Sequence, residues 1–206
     1  MNLPLPDLSR SALEVAPELL GCTLLHRTDD GVVGVRLTEV EAYLGPGMDP
    51  GSHTFRGPTA RTAPMFGPPG TIYAYFSYGM HTCVNLVCSP EGSASAVLLR
   101  AGEIVEGQDL ALRRRGDVRV RDLARGPARL AKALGVALAE SGDPMEAAFE
   151  LRPAAGPVAV TASVRTGVSG DGGGDEYPWR FHIPGDPTVS PYRPAVARRR
   201  ASQPAR

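Results

Sequence analysis

The stretch TIYAYFSYGMHTCVNLV, residues 71 to 87, decides the fold class. Two runs rich in aromatic and β-branched residues are separated only by Gly79 and Met80. A link that short cannot hold a crossover, so the runs must pair antiparallel through a tight turn. The third run, SASAVLLRAGEI (93–104), follows after the Gly- and Ser-containing linker and extends the hairpin into an antiparallel meander.

Upstream, GVVGVRLTEVEAYL (31–44) is a β-rich run, and SRSALEVAPELLGCTLLHR (9–27) reads as a short helix followed by a strand. Pro17 weakens the middle of that helix and Gly21 is a plausible stop. Residues 45–70 are dense in Gly, Pro, Thr and Ser and form a long loop, of the kind that is usually functional when ordered inside a compact domain. Downstream, GPARLAKALGV predicts a helix with Pro127 in its first turn and Gly135 past its end. AAFELRP, GPVAVTASV and PWRFHIP supply late strands, and SGDGGGDE a flexible loop. These elements predict a single α+β domain over residues 1–193, built on an antiparallel β meander with a protruding β-hairpin and flanking helices, and a flexible tail over 194–206.

Composition limits the function classes. No apolar run reaches the length of a membrane span, and the N-terminus lacks a basic region followed by an apolar one, so no membrane partner or signal peptide is expected. Three cysteines are an odd number, as in reduced cytoplasmic proteins. Cys83, Cys88 and His81 match zinc-ligand spacing poorly, and no metal site is expected. Net charge is zero, yet the segment 112–132 is rich in arginine, and a local basic surface can bind phosphates without a basic whole. Arg113, Arg114, Arg115, Arg119 and Arg121 are its candidates, with a solvated face as the alternative. Lys132 is the only lysine in the chain.

In LTEVEAYLGP (37–46) strand alternation puts Glu39, Glu41 and Tyr43 on one face. An edge strand often shows acids to water, so this pattern alone does not mark a site. Tyr73 and Tyr75 also share a face, Tyr78 sits at the hairpin tip, Asn85 lies in an otherwise apolar strand, and Arg100 ends the apolar run SAVLL. A glutamate, two tyrosines, a loop histidine, an asparagine and an arginine could together hold a planar heterocycle beside a water.

EVEAYLGP, GSHTFRGPTARTAPMFGPPGT, YAYFSYGMHTCVNLV, AVLLRAGEIVEG, RGPARLAKALG and PWRFHIP, taken in order, resemble the alkyladenine (3-methyladenine) DNA glycosylases of the mammalian type. The resemblance runs from about residue 10 to about residue 190. It implies a cofactor-free, monofunctional glycosylase of base excision repair. Such an enzyme acts on double-stranded DNA containing damaged purines and flips the target nucleotide out of the duplex. It further implies a monomer in a bacterial-type cytoplasm, held at the nucleoid through DNA.

The resemblance also assigns roles. Glu41 matches the residue that activates water, with Arg100 near that water and the nucleotide backbone. Tyr43, His53 and Tyr75 match residues that stack against and contact the flipped base. Asn85 matches the floor residue that disfavours the 2-amino group of guanine. Tyr78, with Met80 beside it, matches the wedge that fills the gap in the duplex. The interval LGPGMDPGSH between Glu41 and His53 is one residue longer than the family's usual spacing. Two rival functions remain at this level: a lesion-binding module without excision, and a two-carboxylate hydrolase of free glycosides.

Overall fold

The computed structural model describes residues 3–77 and 79–195. Among them the chain forms α1 (Ala12–Leu19), β1 (Thr23–Thr28), β2 (Gly31–Leu44), β3 (Ile72–Ser77), β4 (His81–Val87), β5 (Ser95–Glu106), α2 (Gln108–Arg115), β6 (Ala124–Arg125), α3 (Pro127–Leu134), β7 (Phe149–Arg152), β8 (Thr161–Ser163) and β9 (Arg180–His182). One open antiparallel sheet runs β3-β4-β5-β2-β1-β7, with β6 added to β5 and the β8-β9 pair added to β2. The α+β domain and its meander are as the sequence predicts. Residues 196–206, most of the expected tail, lie outside the described residues, as does Tyr78.

The helices form where the sequence permits. Ser11 and Glu14 make a capping box at the start of α1. The helix continues through Pro17 because Ala12, Val15, Ala16 and Leu19 bury one continuous face. In α3, Pro127 opens the helix and Gly135 (φ +80°) closes it in the left-handed conformation, as expected. Helix α2 runs into the start of the arginine-rich segment, over residues 108–115 where no helix is expected. It buries only Leu110 and Ala111, a stripe too thin to announce itself, and carries Arg113, Arg114 and Arg115 in its last turn, where cations suit the helix dipole.

The feature that positions the site is a double irregularity where β2 meets β5. Leu37 pairs with Gly102, Glu39 with Ala101, and Val40 with Leu99, so Thr38 is extra on β2 and Arg100 is extra on β5. An extra residue reverses which side chains face which side of a sheet. Before it, Val33, Val35 and Leu37 pack into the main core; after it, Val40 and Ala42 do. On β5 the core-facing set likewise switches from Val97 and Leu99 to Ile104. Without the bulge Glu39 and Glu41 would follow Leu37 into hydrocarbon. With it, they and Tyr43 face the opposite side. Gly102 is required here: a Cβ at this position would collide with the Arg36 carbonyl and the Val35 side chain.

Candidate active site

Glu39 and Glu41 are both fully buried, but their surroundings differ. Glu39 Oε1 accepts from Arg100 Nε (2.7 Å), Arg180 Nε (2.8 Å) and Ser190 Oγ (3.0 Å), and Oε2 accepts from the Ser190 backbone N–H (2.7 Å). Burial alone would favour its neutral form, but Arg100 and Arg180 outweigh that and hold the carboxyl below its usual range. Glu39 is thus a countercharge that joins β2 to β5 and β9.

Glu41 Oε2 accepts from the Tyr43 hydroxyl (2.8 Å) and Arg100 Nη1 (3.1 Å), and Oε1 accepts from the Thr166 backbone N–H (2.7 Å). A carboxylate offers about four lone-pair positions. The described residues fill three of them, leaving one on Oε1. The partners keep to their roles. Burial raises the Tyr43 hydroxyl well above its usual range, helped by Glu41, so it stays a donor. Burial disfavours charge on Arg100, but Glu41 and Glu39 more than restore it.

A cavity of about 680 Å³ opens above this pair. Its lining includes Tyr43, His53, Tyr75, Asn85 and Arg100, brought together from β2, the 45–70 loop, β3, β4 and β5. Glu41 itself lies just behind the wall, but all three of its hydrogen-bond partners are on the wall. The Tyr73 and Tyr75 rings stack at 5.4 Å, and His53 meets Tyr75 edge-on at 4.8 Å. His53 Nδ1 lies 3.3 Å from the Tyr73 hydroxyl, so the longer interval before it does not take it away from the site. Partial burial lowers the pKa of His53, and Arg61 lowers it further. Asn85 Nδ2 donates to the Tyr73 carbonyl at 3.0 Å, which fixes its amide at the cavity floor.

Tyr43 has a support beneath it. The Arg165 guanidinium lies 4.5 Å from the Tyr43 ring centre and 5.0 Å from that of Trp179. It is held by both oxygens of buried Asp49 (2.7 and 2.6 Å) and by the carbonyls of Ala42 and Gly172. This bidentate pair fastens the loop after β2 to the loop after β8 and so delivers the Thr166 N–H to Glu41.

Sequence reasoning missed Arg165, Asp49, Thr166 and Arg61. Arg61 donates to the Phe76 carbonyl at 2.9 Å and lies 5.4 Å from the Tyr75 ring centre. No local pattern marks TGVS (166–169) or the Asp49–Arg165 pair, because their partners are more than a hundred residues apart.

The remaining candidates lie elsewhere. Met80 is 70% exposed in the turn between β3 and β4, clear of the core. Arg114 donates to the carbonyls of Ala133 and Leu134 and to Thr28 Oγ1, closing the C-terminus of α3, and Arg115 Nε donates to the Leu123 carbonyl. Arg113, Arg119 and Arg121 are exposed. A smaller groove of about 240 Å³ adjoins the main cavity through Arg100, Pro127 and Thr166 and carries Arg125, Arg129 and Arg193. Among the described residues no group of His, Cys, Asp or Glu is placed to hold a metal ion, and no helix is long and apolar enough to cross a membrane.

The sequence profile of the methylpurine-DNA glycosylase family matches residues 7–187. The chain is 58% identical over 190 residues to a protein of Leifsonia xyli, covering 89% of each chain. It is 54% identical over 204 residues to one of Streptomyces avermitilis, covering 93% of this chain and 92% of the relative. To one of Cutibacterium acnes it is 52% identical over 193 residues, covering 89% and 97%. All three relatives are bacterial, and their names place them among the 3-methyladenine DNA glycosylases.

Proposed function

We propose, on the premise that the chain belongs to the methylpurine-DNA glycosylase family, that this DNA glycosylase excises flipped alkylated or deaminated purines by means of a water activated by Glu41. The observation that carries this reading is the free acceptor position on Glu41 Oε1, directly behind a cavity lined by Tyr43, His53, Tyr73 and Tyr75 that is large enough to admit a purine nucleotide.

The chemistry follows from the charges. Cleavage of an N-glycosidic bond passes through a sugar with cationic character. A buried carboxylate beside it stabilises that charge and takes a proton from the attacking water. Arg100 and Tyr43 hold Oε2, so the carboxylate cannot rotate and Oε1 keeps a fixed direction. Alkylated purines arrive carrying positive charge, and the faces of Tyr43 and Tyr75 favour a cationic ring by cation–π attraction and stacking. Neutral hypoxanthine lacks that advantage and depends more on shape and on Asn85. The resemblance to the mammalian type bears on this substrate range, and the relatives identified are bacterial.

Hydrolysis of free glycosides by a carboxylate pair is disfavoured by Glu39. That reading needs two available carboxyl groups, and Glu39 is sealed by Arg100, Arg180 and Ser190. A lesion-binding module would not need an open acceptor on Glu41.

The test is to incubate the protein with duplex DNA carrying a single 3-methyladenine or hypoxanthine and to analyse both products. Release of the free purine with an intact, alkali-labile strand is expected. Tight binding of the lesion duplex with no base released would leave the binding module as the function.

A further inference from the structure

The Thr166 side chain has a hydroxyl that the fold does not use. Thr166 Oγ1 is buried and makes no hydrogen bond with any of the described residues, although its own backbone N–H donates to Glu41 Oε1 at 2.7 Å. Burying a hydroxyl without a partner is unfavourable, so a native structure that does so generally keeps a place for a water or a ligand. Thr166 also lines both the base cavity and the adjoining arginine groove, at the neck the two share with Arg100 and Pro127.

Covalent geometry locates this hydroxyl. Within one threonine, N and Oγ1 are about 3 Å apart. Oγ1 therefore lies within about 6 Å of Glu41 Oε1, too far for a direct bond, since none is formed. A water that donates to both oxygens spans about 4.5 Å between them, a separation that lies inside this limit, so one water can bridge the two.

We infer that the Thr166 hydroxyl is the second anchor of the attacking water, which it holds between itself and Glu41 Oε1. This inference rests on the hydrolytic role proposed for Glu41. The water gives one hydrogen to the carboxylate and the other to Thr166 Oγ1, so its remaining lone pairs face the cavity, where the sugar C1′ would stand. In the step itself the water oxygen forms the new bond to C1′. The C1′–N bond breaks and its electron pair leaves with the purine. One water proton passes to Glu41, and the other remains on the new sugar hydroxyl. Thr166 exchanges no proton and is a positioning residue. Its backbone and side chain act on the same event: the N–H orients the base, and the hydroxyl orients the nucleophile.

The experiment compares Thr166→Val, which keeps the shape and loses the hydroxyl, with Thr166→Ser, which keeps the hydroxyl. Single-turnover excision of hypoxanthine is measured across pH, beside binding of the same duplex and thermal melting. Thr166→Ala replaces the valine variant if that does not fold. The expected result is an excision rate about tenfold lower in Thr166→Val, as for one missing orienting hydrogen bond. Lesion binding and the shape of the pH profile should be unchanged, and Thr166→Ser should restore the rate. A valine variant that cuts at the wild-type rate overturns the inference. So does a serine variant as slow as valine, or a valine variant whose defect lies in binding, since either makes Thr166 a packing or DNA-binding residue. Glu41→Gln runs in parallel: if it excises normally, the hydrolytic reading fails instead, whatever Thr166 does.

Discussion

Arg100 Nε donates to Glu39 Oε1 at 2.7 Å, and from that anchored position Nη1 of the same guanidinium reaches Glu41 Oε2 at 3.1 Å. The two carboxylates of the Glu-x-Glu pattern are therefore one unit with divided tasks. Glu39 holds the arginine, and the arginine orients Glu41. The bulge that leaves Arg100 extra on β5 makes this reach possible.

Glu39→Gln is accordingly expected to act first on stability. It leaves Arg100 and Arg180 buried with less compensating charge, and removing one partner of a buried ion pair costs about 3–5 kcal/mol. The isosteric amide keeps some hydrogen bonds, so a loss of about 2–3 kcal/mol is expected in denaturant unfolding. The pH dependence should change with it. Because the Glu39 carboxyl is held below its usual range when folded, its stabilisation is present above the unfolded pKa, near 4.5, and is lost as pH falls through the folded value. Wild type should lose stability across that acid window, and the variant should lose less.

His53 should give excision an acid limb that depends on the substrate. Burial, then Arg61, lowers its pKa below 6.5, so the ring is neutral at neutral pH. As pH falls through that lowered value the ring becomes cationic and repels a positively charged base. Through that same lowered value, excision of 7-methylguanine should therefore fall more steeply than excision of neutral hypoxanthine. His53→Gln should remove the difference, and parallel single-turnover pH profiles on the two substrates check it.

The arginines of the 112–132 segment should separate into two groups. Arg114 closes the end of α3, so Arg114→Ser should lower the melting temperature with little change in the salt dependence of DNA binding. Replacing exposed Arg113, Arg119 and Arg121 together should leave melting unchanged. It should lower the log–log salt slope by about one for each of these arginines that neutralises a phosphate. Binding titrations over a range of salt concentrations check both.

A lyase step through a Schiff base would need a neutral amine at the sugar. Lys132, the only lysine, is exposed on α3 and absent from the cavity wall. Borohydride added during base release should therefore trap no covalent protein–DNA adduct.

Much of this architecture was legible because it is local. The short link that lets Ser77 pair with His81, the strand alternation of Glu39, Glu41 and Tyr43, and the Pro127 and Gly135 punctuation of α3 are short-range signals with direct physical meaning, although the link spans residues 78–80 and is not the two-residue one expected. The bulge was not legible, because a parity change needs both strands to be seen at once. A reader of β2 alone finds the right face for Glu41 without learning why Leu37 points the other way. The Asp49–Arg165 clamp and the Thr166 N–H were invisible for the same reason, since they join segments far apart in the chain. Arg114 shows the converse. Its charge pattern suggested a phosphate-binding role, while its geometry commits it to carbonyls of the protein itself.

The central claim, that Glu41 activates the water, is tested most directly by single-turnover excision with Glu41→Gln on a lesion duplex whose binding is measured in parallel. Glutamine preserves the shape but cannot take the proton or offset the charge of the sugar. Binding near the wild-type level is expected, with a rate lower by about a hundredfold to ten-thousandfold. Excision by Glu41→Gln at the wild-type rate, with binding intact, would contradict the claim.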